Sequence, residues 1–137
     1  MAAAQFLKLF LLTAIVFFAI DLVWIGVVAA PFYQRQIGSL LAPNVRWIPA
    51  LLFYLIYITG LLVFAVLPGL SAGSPGRALV LGAFLGFMAY ATFDLTCLAL
   101  FKDFPLTVVV VDLIWGTCLS AVVTAAGYFI GSWLGIG

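Results

Sequence analysis

Four long apolar stretches, separated only by short polar or turn-rich segments, decide what this chain can fold into: residues 6–30, 48–67, 77–101 and 106–134. Hydrocarbon offers no water to an open backbone donor or acceptor, so a membrane span must satisfy its peptide groups internally, as a helix does. Each stretch supplies the roughly 20 residues needed to cross an apolar layer. Composition agrees, because 68% of the 137 residues are hydrophobic and 7% are charged. A soluble domain carries about 25% charged residues. The expected fold is all-α: one integral membrane domain over residues 1–137, a four-helix up-down-up-down bundle.

Turn chemistry marks the expected boundaries. Lys8 precedes an apolar run ending in Ala29-Ala30, as in a secretion signal. That run is too long for a signal core and contains Asp21 and Trp24, so it reads as the first span, ended by Pro31. Residues 31–47 form the longest connection, with Tyr33 and Trp47 as interfacial anchors. The second span stops at Pro68-Gly69, and Ser74-Pro75 reads as a cap followed by a first-turn proline. Lys102-Asp-Phe-Pro105 is a tight turn that makes spans three and four antiparallel neighbours. Gly82 and Gly86, and then Gly127, Gly131 and Gly135, recur at four-residue intervals. Such small-residue faces receive a sister helix or a second subunit.

Against this apolar background three carboxylates stand out: Asp21, Asp94 and Asp112. An ionisable group within a span is costly and faces a bundle interior. At about 1.5 Å per helical residue, all three fall roughly 9–14 Å from one membrane face. Tyr54 and Tyr57 of the second span reach the same level, so every span contributes to one polar layer. Trp24 lies three residues after Asp21, Trp115 three after Asp112, and Tyr90 four before Asp94. Each therefore shares a helix face with an aspartate. Indole and phenol groups are donors able to hold a carboxyl without a full counter-charge. No lysine or arginine lies deep in a span, and at least one aspartate is expected to carry its proton.

Other chemistry is poorly provided for. The chain has no histidine and a net charge of +1, which leaves no imidazole ligand and no basic face for nucleic acid. Cys97 and Cys118 lack metal-ligand spacing and read as small apolar residues. No nucleotide, haem, flavin or zinc signature occurs, and an apolar layer with few extra oxygens suits magnesium or calcium poorly. No cofactor and no metal are expected. Arg35, Arg46 and Lys102 lie on the side of the first and third loops, against Lys8 and Arg77 on the other. The positive-inside rule thus leans to a cytoplasmic loop side, and so small a bias also fits dual insertion.

Taken together, several segments resemble the small bacterial membrane proteins grouped as domain of unknown function 2177. They are Asp21-Leu-Val-Trp24, the series Tyr54, Tyr57, Gly60, Phe64 and Pro68, the Gly82/Gly86 pair, Tyr90-Ala-Thr-Phe-Asp94-Leu-Thr-Cys-Leu-Ala99, Lys102 with Pro105, and Asp112-Leu-Ile-Trp115-Gly-Thr117. The resemblance implies four spans in a bacterial inner membrane and no particular activity. Phe93 stands where that family often has tyrosine, and Cys97 where it often has asparagine.

Three functions stay open. The aspartate layer, lacking a buried base, fits proton- or cation-coupled transport or small-ligand binding by a homo-oligomer. The carboxylates equally suit an acid and base acting on a lipid or lipid-linked substrate, with Tyr54, Tyr57 and Tyr90 as donors. A two-aspartate protease is a special case that lacks its Gly-x-Gly-Asp context. The aspartates also suit interhelical glue in an accessory subunit of a larger membrane complex.

Overall fold

Helices satisfy the backbone almost throughout. The computed structural model describes residues 1–137 and contains four helices long and apolar enough to cross a membrane. They are α1 (Ala3–Leu40), α2 (Trp47–Ala72), α3 (Pro75–Leu100) and α4 (Leu106–Trp133). Their outward faces are apolar, with Ile56, Val80, Phe84, Ile114 and Phe129 all exposed. Such a surface belongs in lipid, because water-soluble proteins rarely expose apolar patches this extensive. The interior is the more polar side: Thr13, Asp21, Asp94, Asp112, Ser120 and Thr124 are all buried.

Two helix ends differ from the sequence expectation. α1 does not end at Pro31, and α2 does not stop at Pro68. An internal proline lacks the N–H that bonds four residues back, and its ring presses on that carbonyl. Here a stretch of wider π turns precedes each one, Trp24–Ala29 before Pro31 and Leu62–Val66 before Pro68. The Ala30 N–H bonds the Ile25 carbonyl and the Leu67 N–H bonds the Leu62 carbonyl, each five residues back. The α-helix then resumes with proline in its first turn, where the missing N–H costs nothing. As a result the chain between α1 and α2 is only the short segment after Leu40, and Tyr33 is a helical residue.

The remaining turns follow their local chemistry. Gly73 ends α2 with a left-handed φ of 62°, which favours glycine. The Ser74 hydroxyl accepts from the Arg77 N–H at 3.1 Å and so caps α3 ahead of Pro75. Asp103 takes a positive φ in the turn between α3 and α4.

Packing sets the register between helices. A Cβ on Gly82 would meet Thr124, one on Gly86 would meet Ser120 and the Gly116 carbonyl, and one on Gly116 would meet the Tyr90 ring. As numbers rise along α3 they fall along α4, so this pair is antiparallel and close. On the other side Gly127 faces Val66 of α2 and Thr13 of α1, and Gly131 faces Leu70 of α2. These glycines are filled from within the chain and carry no argument for a second subunit. Gly135, beyond the end of α4, has a positive φ and open space around it. The apolar core lies where α1, α2 and α4 meet, around Leu9, Phe17, Ile58, Leu61, Leu62, Val66, Leu119 and Val123.

Candidate functional site: a layer of aspartates and tyrosines

Above this core the interior turns polar. Phe17, with no exposed surface, meets the rings of Tyr54 and Tyr57 edge-on at centroid distances of 5.5 and 6.2 Å. From that floor each tyrosine reaches a different neighbour. The Tyr54 hydroxyl donates to Asp21 Oδ2 at 2.9 Å, linking α2 to α1. The Tyr57 hydroxyl shares a hydrogen bond with Ser120 Oγ, linking α2 to α4. Tyr90 of α3 turns its ring over Gly116 and stands edge-on to Tyr57 at 6.5 Å.

The tryptophans do not act as local partners of the aspartates on their own helices. Trp24 and Trp115 stack on each other, with centroids 4.2 Å apart and planes 7° from parallel, and pin α1 to α4. Trp115 also lies beside Asp21 of α1 rather than serving Asp112 three residues away. A shared helix face sets the direction in which a side chain leaves the helix. An indole is long enough for its contacts to be made on the neighbouring helix instead. Likewise Tyr90 makes no hydrogen bond to Asp94, although the two are one turn apart.

The three aspartates differ in their surroundings. Asp21 is buried and held by Tyr54. Asp94 has no exposed surface, and neither of its oxygens has a hydrogen-bond partner. Asp112 is 7% exposed and accepts from the Tyr33 hydroxyl through Oδ1. The antiparallel register of α3 and α4 sets Asp94 level with Asp112.

Asp112 also lies at an opening. It forms the polar end of a cleft of about 490 Å³ whose other walls are Phe53, Ala89, Tyr90 and Phe93. Phe53 and Phe93 are exposed on the outer surface, so the cleft opens sideways, toward lipid. Asp112 Oδ2 is neither hydrogen-bonded nor shut away from its surroundings, which leaves one carboxyl oxygen for a group entering the cleft. Phe93 makes this wall apolar.

Two contributors were not legible as site residues. Tyr33 looks like an interfacial anchor once α1 is ended at Pro31, and only the π turn before that proline carries it onward to Asp112. Ser120 reads as part of the small-residue face, and its hydroxyl gains a role only when Tyr57 is set opposite.

No curated protein and no solved structure matches the chain. The model of one family, described as "Predicted membrane protein (DUF2177)", matches residues 6–129. That match covers nearly the whole chain, reaches all four helices and includes every residue of the aspartate–tyrosine layer, and the chain belongs to the DUF2177 family of membrane proteins.

Proposed function

We propose that this protein binds a small amphipathic molecule bearing a cationic, hydrogen-bond-donating head, taken from the bilayer into the cleft that ends at Asp112. One observation carries the reading: a carboxyl with a free oxygen closes a cleft of about 490 Å³ whose other walls are the side chains of Phe53, Ala89, Tyr90 and Phe93. Ligand pockets run to about 300–1,000 Å³, lined by apolar groups with a few polar ones that fix orientation. In a low-dielectric setting a carboxylate gains most from a partner of opposite charge. An ammonium head at Asp112 with its chain between Phe53 and Phe93 satisfies both parts of the cleft.

The neighbouring Asp94, buried without partners, supports coupling of that binding to a proton or small cation. The setting is a multi-pass protein of a bacterial inner membrane, built as an up-down-up-down bundle. Four helices are few to enclose a path, so transport rather than binding calls for a second copy. The glycine faces, already filled inside the protomer, are not its interface.

The test is binding of decylammonium to the protein in lipid nanodiscs, with Asp112→Asn as the reference for partition into lipid. Loss of one hydrogen bond to a charged group weakens binding by about tenfold or more. Decanol should not distinguish the two proteins, and decanoate should show no preference for the wild type. Equal decylammonium binding by both removes the reading.

A further inference from the structure

Asp112 has two sides. The cleft approaches it from the bilayer, between α2 and α3, whereas Tyr33 covers it from α1. Tyr33 belongs to an arm that α1 extends past its wide turns, the α-helical segment Ala30–Ile37 and the single turn Gly38–Leu40. At about 1.5 Å per residue a 38-residue helix is about 57 Å long, nearly twice a hydrocarbon core of about 30 Å. The arm carries Gln34, Arg35 and Gln36, all exposed, and belongs on the aqueous side of the layer.

Little holds this arm down. No residue of Ala30–Leu40 is buried, and its side-chain hydrogen bond to the bundle is the one from Tyr33 to Asp112. At its base the π turns of Trp24–Ala29 replace the regular ladder, and Pro31 offers no N–H to restore it. At the start of those turns Trp24 is held by its stack on Trp115, and below them Asp21 is held by Tyr54. A fixed lower helix, an irregular turn with a proline, and a loosely held arm ending on a site carboxyl together make a hinged cover.

We infer that the Ala30–Leu40 arm is an aqueous gate to Asp112, latched by the Tyr33 hydroxyl and pivoting within residues 25–29. Closed, it leaves Asp112 reachable only through the lipid-facing cleft. Open, it exposes the same carboxyl to water, so the residue can be reached in turn from the bilayer and from the aqueous face. The inference builds on the ligand reading, since it names the second access route of that site, but it is tested without any ligand.

Carbodiimides attach covalently to carboxyl groups and exist in lipid-soluble and water-soluble forms. The protein in nanodiscs is treated with dicyclohexylcarbodiimide or with a water-soluble ethyl carbodiimide, and the peptide holding Asp112 is read by mass spectrometry. In the wild type the lipid-soluble reagent should modify Asp112 and the water-soluble one should react slowly. In Tyr33→Phe the water-soluble reaction should rise about tenfold or more, as expected when a hydrogen bond to an acidic group is removed from a two-state equilibrium. The lipid-soluble reaction should not change. Gly131→Ala, which crowds Leu70 at the far end of α4, should leave Asp112 labelling unaltered. Hydrogen exchange in Tyr33→Phe should quicken in residues 30–40 and not in the lower part of α1.

An unchanged water-soluble reaction in Tyr33→Phe overturns the gate. So does a wild type in which both reagents react equally fast, or a Gly131→Ala protein that shows the same increase, since that marks general loosening. A failure of decylammonium to bind bears on the ligand reading alone.

Discussion

Replacing Asp94 with leucine should make this protein more stable. Asp94 has no exposed surface, and both of its carboxyl oxygens lie buried without a hydrogen-bond partner. A buried polar group left unpaired costs about 1–3 kcal/mol, and exchanging it for an apolar group of similar shape recovers that cost. Leucine is close to aspartate in branching, and it adds apolar contact on a helix already packed against α4. The expected gain is therefore about 1–3 kcal/mol, with Asp94→Asn near neutral because the amide meets the same unpaired surroundings. The assay is reversible unfolding in mixed micelles, followed by helical circular dichroism. Loss of stability in Asp94→Leu by more than about 1 kcal/mol would refute the reasoning, because it would mean that the carboxyl holds helices together. A gain instead marks Asp94 as a group kept at a cost to stability, as functional groups in membranes are.

Other outcomes follow from the same geometry. Tyr54→Phe should cost about 1–3 kcal/mol, because it strips Asp21 of its donor in a buried place, and the same unfolding assay reads it. Gly86→Ala should destabilise by about 1–3 kcal/mol or more, since a Cβ there runs into Ser120 and the Gly116 carbonyl. Gly60→Ala, with nothing near the added methyl, should be neutral or stabilising by up to about 1 kcal/mol. A lipid-soluble maleimide should label the exposed Cys118 and spare the buried Cys97, and mass spectrometry distinguishes the two peptides.

Much of the architecture was legible in the residues because hydrocarbon leaves the backbone so few choices. The four helices and the Ser74 cap follow from hydropathy and local turn chemistry. Pro31 and Pro68 misled for a physical reason: a proline ends a helix when the four-residue ladder must continue through it, and a π turn just upstream removes that requirement. Nothing in Trp24-Ile-Gly-Val-Val-Ala29 taken alone announces such a turn, and what it shares with Leu62–Val66 is a proline two residues beyond its end. Tyr33 was lost with that boundary. The aspartates were visible by their rarity, and their partners were not. Position along one helix gives the face a side chain leaves from, whereas the pairs Asp21–Tyr54, Asp112–Tyr33 and Trp24–Trp115 are all made between helices. The glycine faces show the same limit. Their spacing announces close packing, and only the assembled bundle shows that Thr13, Val66, Leu70, Ser120 and Thr124 fill them from inside.

The central claim is that the cleft ending at Asp112 receives the head of an amphipathic cation. A structure of the protein in lipid with decylammonium bound tests it most directly. The account predicts the ammonium within hydrogen-bonding distance of Asp112 Oδ2 and the alkyl chain between Phe53 and Phe93. Decylammonium lying elsewhere on the protein, with the cleft closed by its own side chains and Asp112 unengaged, would contradict it.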